Sequence, residues 1–126
     1  MFTVLVVDDE PDIVDILTAF IEDSFDVKQA VRFEEAISIL GKEEVHLVLS
    51  DLNMPGVSPD EIVGKIHAVK SGLPIVIMSG HSADSVPVQN AISLGASGAI
   101  EKPFKDPGEI IEILQDVLEG KAKQAS

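Results

Sequence analysis

The chain has 126 residues and no cysteine, so it is read as one domain built without disulfides, thiolate metal sites or a cysteine nucleophile. Its 22 acidic residues against 9 basic ones give a formal charge of -13, which repels nucleic acid and anionic lipid and attracts divalent cations and basic partner surfaces. Hydrophobic residues make up 45%, enough for a folded core, yet no apolar run approaches the ~20 residues that span a bilayer.

The opening Met1-Phe2-Thr3-Val4 lacks the charged n-region of a signal peptide, and a cytoplasmic domain without membrane contact is expected. Phe2 to Val7 is a β-branched apolar run that reads as a first buried strand, ended by Asp8-Asp9-Glu10-Pro11. Pro11 suits the first turn of a helix with an acid ahead of it as cap, and Ile13, Ile16, Leu17 and Phe20 supply its apolar spacing. Asp26 to Ala30 is a weaker strand with Val27 its only bulky apolar residue, which places it near an edge. A second helix is predicted over about Phe33 to Lys42, with Phe33, Ala36, Ile37 and Leu40 inward and Gly41 at its end.

Val45 to Ser50 reads as the central strand, closed by Asp51-Leu52-Asn53-Met54-Pro55-Gly56. Pro59-Asp60 opens a helix carrying Ile62, Ile66 and Val69 that stops at Ser71-Gly72. Pro74 to Met78 is a fourth strand running into Ser79-Gly80, and a polar loop over Ser82 to Ser85 leads into a short helix that ends at Leu94-Gly95. Ala99-Ile100 forms the centre of a brief last strand before Glu101-Lys102-Pro103-Phe104. The last helix runs from about Pro107 to Leu118 on Ile110, Ile111, Leu114 and Leu118, and residues 121–126 form a polar tail beyond a domain of residues 1–120. Five strand-helix pairs in strict alternation with short connections predict an α/β fold with a parallel sheet covered on both faces.

In that architecture every strand ends at one edge of the sheet, where ligands bind. That edge receives Asp8 and Asp9 from the first strand, Asp51 from the third, Ser79 from the fourth and Lys102 from the fifth. Asp51, behind a largely apolar run, is costly to bury without a cation or hydrogen bonds. Singly, Asp8 and Asp9 read as helix caps, Ser79 as a turn residue and Lys102 as a surface lysine; together, at four of five strand ends, they read as a site. Three carboxylates with one ammonium suit a hard divalent cation such as Mg²⁺. The set fits a carboxylate that attacks a phosphoryl group while metal, lysine and hydroxyl hold its oxygens, giving an acyl phosphate on Asp51.

Four segments in order, Val6 to Pro11, Ser50 to Gly56, Met78 to Gly80 and Gly95-Ala96 through Lys102-Pro103-Phe104, closely resemble those of response regulator receiver domains, over essentially the whole chain. The resemblance implies a flavodoxin-like, doubly wound sheet of five strands in the order 2-1-3-4-5 with five helices. It implies that Asp51 accepts phosphoryl from a histidine kinase or a histidine phosphotransfer protein and that a downstream effector protein or domain reads the result. It further implies that Asp9, Asp51 and the backbone carbonyl of Asn53 hold Mg²⁺, with Asp8 acting through a coordinated water. Lys102 would contact the phosphoryl group, with a cis bond to Pro103, and Ser79 would be the switch hydroxyl. Asn53 and His81 would flank the site, His81 equally well as a plain loop residue. The chain would then be no enzyme beyond gaining and losing phosphoryl on its own Asp51.

Two positions depart from that family. Ala99 stands where Tyr or Phe is usual, and Pro59 where many receivers have a second loop glycine. The last helix lacks the Arg/Lys-rich face of many DNA-binding regulators, which favours a stand-alone or hybrid-kinase receiver. The alternatives are a degenerate receiver that only binds, which would have lost the acidic pair or the lysine, and an aspartate-nucleophile phosphatase. Such a phosphatase resembles its relatives in a second aspartate where this chain has Asn53. Ala99→Tyr is expected to change binding of the downstream partner while leaving phosphoryl uptake by Asp51 as in wild type; an effect on uptake alone would overturn that assignment.

Overall fold

The computed structural model describes residues 1–80, 82, 84–104 and 106–120. Five strands, β1 (Thr3–Val7), β2 (Asp26–Ala30), β3 (Leu47–Asp51), β4 (Ile75–Ser79) and β5 (Gly98–Glu101), alternate with five helices, α1 (Pro11–Ile21), α2 (Phe33–Lys42), α3 (Pro59–Val69), α4 (Val86–Ser93) and α5 (Pro107–Leu118). All strand pairs are parallel and the order is β2-β1-β3-β4-β5, the flavodoxin-like arrangement expected. β2 is an edge strand, as its single bulky apolar residue foretold.

Alternation along the buried strands sorts their side chains into two layers. Leu5, Val7, Val48, Ile75 and Ile77 pack with α2, α3 and α4, through residues such as Ala36, Ile66 and Ala91. Val4, Val6, Leu47, Leu49, Val76, Met78 and Ile100 pack with α1 and α5, through Leu17, Ile21 and Leu114. The short helix starts are organised locally. Ser58 and Glu61 form a reciprocal capping box on α3, and the Asp106 carboxylate accepts from the Gly108 N–H at 2.9 Å on α5.

Several predicted boundaries and faces shift. β3 starts at Leu47, and Val45 is buried ahead of it. Gly41 lies inside α2, which continues to Lys42 and ends at Glu43 in extended conformation, so no left-handed glycine is needed there. The left-handed glycines past helix ends are instead Gly72, at φ 74°, Gly95, at φ 121°, and Gly120, at φ 79°. α1 buries Val14, Leu17 and Ile21, whereas Ile16 is 42% exposed and Ile13 and Phe20 are only half-buried. Val69 is likewise exposed at the end of α3, and Val63 takes the inward place beside Ile62 and Ile66. The N-cap of α1 is Glu10, but its own side chain makes no capping bond. His81 and the tail at 121–126 lie outside the described residues.

The rotated face of α1 has a measurable consequence. Leu17→Ala is expected to lower unfolding stability by about 2–5 kcal/mol, because Leu17 is 0% exposed, while Ile16→Ala should change it by less than about 1 kcal/mol. Urea unfolding of the two variants checks the order, and equal losses would restore the face predicted from spacing.

Candidate functional site

The site is built where strands run out of sheet partners. The Asp8 N–H donates to the Ala30 carbonyl at 3.1 Å, extending the β1–β2 pairing by one residue and holding Asp8 fully buried. Its two carboxylate oxygens do different work: Oδ1 accepts from the Glu10 N–H at 2.9 Å, at the start of α1, and Oδ2 accepts from Lys102 Nζ at 2.9 Å. Asp8 thus holds the N-cap residue Glu10 by its backbone while its other oxygen faces Lys102, so one carboxylate orders the start of α1 and joins the cluster.

Asp51 is the last residue of β3 and is 6% exposed. The following Leu52 N–H donates to the Met78 carbonyl at 2.9 Å, which pins the strand end against β4. Asp51 Oδ1 accepts weakly from the Asn53 N–H at 3.4 Å, and Oδ2 lies 3.4 Å from Lys102 Nζ. Asn53 is exposed at the start of the loop. Lys102 is held at its backbone, where its N–H donates to the Ser79 carbonyl at 2.8 Å, and the Lys102–Pro103 bond is cis as expected. Ser79 is buried at the end of β4.

Asp9 completes the cluster from outside. It is exposed, and ligand oxygens of Asp8, Asp9 and Asp51 come within 4.8 Å of one another. These are hard oxygen donors at a spacing one divalent cation can bridge, and a single ammonium leaves them with an excess charge of the size such a cation carries. The donor set thus fits Mg²⁺.

Burial pushes the Asp51 carboxyl above its ordinary value of 3.8, with the Asp8 charge adding to it and Lys102 and the Asn53 N–H opposing. For Lys102, burial pulls downward, but its hydrogen bond to Asp8 and the charges of Asp51 and Asp8 outweigh that and raise it above 10.5. Asp51 makes the metal-free fold more stable as pH falls through its raised value, an effect complete below 3.8. Lys102 contributes stability that is fully present below 10.5 and lost as pH rises through its raised value.

Strand phase divides the site. Asp8, Asp51 and Lys102 continue the alternation of Val6, Leu49 and Ile100, toward α1 and α5. Ser79 continues that of Ile75 and Ile77, toward α4, and half-buried Ala99 packs in the same layer. The position lacking the usual aromatic is therefore on the face of Ser79.

One feature escaped the sequence reading. Ile13, Ile16, Phe20, Pro103 and Phe104 line an apolar groove of about 500 Å³ that ends at Lys102. The surplus of apolar residues on α1, more than one buried stripe requires, was the available signal.

The response regulator receiver domain profile matches residues 4–115. The chain is 33% identical to an uncharacterized 14.6 kDa protein of Leptolyngbya boryana, over 89% of this chain and 86% of that protein. It is 31% identical to the response regulator GtcR of Aneurinibacillus migulanus, over 92% of this chain and 47% of GtcR. The chain spans about a quarter to a half of the length of GtcR and other curated relatives it matches. Among solved structures, chemotaxis protein CheY4 of Vibrio cholerae aligns with a TM-score of 0.84 at 28% identity, covering 93% of this chain and 98% of CheY4. With this fold, this edge and a profile match running from β1 into α5, the chain belongs to the response regulator receiver domain family.

Proposed function

We propose that this receiver accepts a phosphoryl group on Asp51 from a histidine kinase or histidine phosphotransfer protein, in a Mg²⁺-dependent reaction, and thereby switches binding of a downstream effector. One observation carries the reading: a lysine ammonium held between two buried carboxylates, 2.9 Å from Asp8 and 3.4 Å from Asp51, with Asp9 at the rim. Asp8, Asp9, Asp51 and the Asn53 carbonyl would hold the cation. When bound, it would supply positive charge to the phosphoryl oxygens.

Asp51 must react as the carboxylate. One of its oxygens forms the new O–P bond as the P–N bond of the donor phosphohistidine breaks, and the donor imidazole leaves with that electron pair. Lys102, already fixed at its backbone by the Ser79 carbonyl, is positioned to turn its ammonium from the carboxylates toward a phosphoryl oxygen. Ser79, on the adjacent strand end, supplies the switch hydroxyl toward the same oxygens, with its loop following. The apolar groove is the surface for the phosphoryl donor, since Lys102 lines it and also reaches the reacting carboxylate.

The chain performs chemistry only on its own Asp51 and in this sense is no enzyme. Among the described residues, no helix is long and apolar enough to cross a membrane, in keeping with a cytoplasmic placement. α5 carries no lysine or arginine, which supports a stand-alone or hybrid-kinase receiver over a DNA-binding regulator.

Intact mass after incubation with acetyl phosphate is expected to show one added phosphoryl group that requires Mg²⁺ and is absent in Asp51→Asn. Uptake that persists in Asp51→Asn overturns the assignment of the acceptor. Without metal, Lys102→Met should lower stability at neutral pH by roughly 2 kcal/mol, less than for a fully buried pair because the lysine side chain keeps 19% exposure. Mg²⁺ should stabilise wild type by about 2.7 kcal/mol at a hundredfold excess over its Kd, and Asp9→Asn should remove most of that gain. Thermal unfolding with and without Mg²⁺ measures both.

A further inference from the structure

A second depression lies away from the phosphoryl site. Its walls come from three elements: the start of α2, the loop between β3 and α3, and the middle of α3. Val31, Phe33, Ile37, Pro55 and Val57 give it an apolar lining, and its volume is about 540 Å³. That volume falls within the range of about 300–1,000 Å³ typical of small-molecule sites.

Its charge is the reverse of the rest of the molecule. Arg32 and Lys65 both line it and both are exposed, in a chain with only 9 basic residues and a net charge of -13. Among the described residues, neither makes an ion pair. Glu34 is the one acid in the lining. The acids nearest in sequence are engaged with backbone N–H groups, Glu35 with Val31 at 2.9 Å and Glu61 with Ser58 at 3.1 Å, although Glu61 also feels the Lys65 charge one helical turn away. Two exposed cations without a salt bridge at the rim of an apolar floor match a ligand with the opposite pattern.

We propose that this groove binds a small amphiphilic carboxylate, with an apolar chain or ring on the floor and its carboxylate between Arg32 and Lys65. A volume of about 540 Å³ is that of a small-molecule site, which favours a free small molecule over a long protein segment. The occupant touches Pro55, Gly56 and Val57, in the loop that leaves Asp51. The site is separate from the acidic cluster and does not depend on its function.

The experiment is a ¹⁵N NMR titration of the full chain with sodium decanoate below its micelle concentration, beside decanol and decyltrimethylammonium. Saturable shifts confined to residues around 31–37, 54–57 and 65–68 are expected with decanoate, and weaker or no shifts with the other two. The double variant Arg32→Glu, Lys65→Glu should bind decanoate on the order of tenfold more weakly, the scale of two exposed ion pairs lost and reversed. Equal binding of decanol, unchanged affinity in the double variant, or shifts spread over other faces would overturn the proposal. So would two further outcomes. The same shifts appearing with protein concentration alone would assign the groove to a second copy. Binding of an acetylated Asp-Leu-Leu-Asp peptide without binding of decanoate would assign it to a protein partner.

Discussion

The fold closes over two carboxylates that it can bury only because one ammonium reaches them both. β5 pairs with β4 alone, yet Lys102 at its end contacts Asp51 from β3 and Asp8 from β1, 94 residues away in the chain. A buried carboxylate without such a partner would carry a desolvation penalty of several kcal/mol. This contact therefore ties the last strand to the first through side chains where no backbone ladder joins them. It also leaves a deficit, since one ammonium serves two buried acids and a third at the rim. The Asp51 carboxyl is raised chiefly by burial, with the Asp8 charge adding to it, and Lys102 offsets only part of that rise.

What sets the charged groups in place is the register of the sheet. Val7 lies beside Ser50, Asp51 beside Met78 and Ser79 beside Glu101, so the strands end at nearly the same level. Each buried strand then hands a polar residue at or just past its end to the same edge. The two-residue alternation does the rest, sending Asp8, Asp51 and Lys102 toward one layer and Ser79 toward the other. The hydrophobic pattern that drives folding and the geometry of the site are consequences of the same periodicity.

This explains how much could be read in advance. Strand ends are legible because a buried parallel strand is a continuous apolar run and its close is conspicuous; Asp8 and Ser79 break their runs, and Asp51 and Lys102 stand one residue past the break. Helix faces were less legible. α1 has Ile13, Val14, Ile16, Leu17, Phe20 and Ile21, enough for two overlapping stripes, and spacing alone cannot choose between them. Packing on Val4, Val6 and Leu49 selects Val14, Leu17 and Ile21, which leaves Ile13 and Ile16 to wall the groove beside Lys102. Gly41 misled for a related reason. A glycine marks a helix end only where the backbone turns left-handed, and the chain leaves α2 in extended conformation. The groove between α2 and α3 had no sequence signal at all, because its walls come from three separated segments.

The division of the edge by strand phase bears on how a phosphoryl signal could leave the site. On the proposed reading, phosphorylation adds negative charge on the α1–α5 layer, where Asp51 and Lys102 point. The downstream change must reach the other layer, where Ser79 and Ala99 lie. Ser79 is fixed at its carbonyl by the Lys102 N–H, so movement of either residue is felt by the other through a 2.8 Å hydrogen bond. In relatives with an aromatic at the position of Ala99, a large ring could carry that movement onward by changing its rotamer. Ala99 has no rotamer to change and little surface to push with. On that reading α4, whose Val88 and Ala91 pack in the layer of Ala99, would take up the movement in place of a ring on β5.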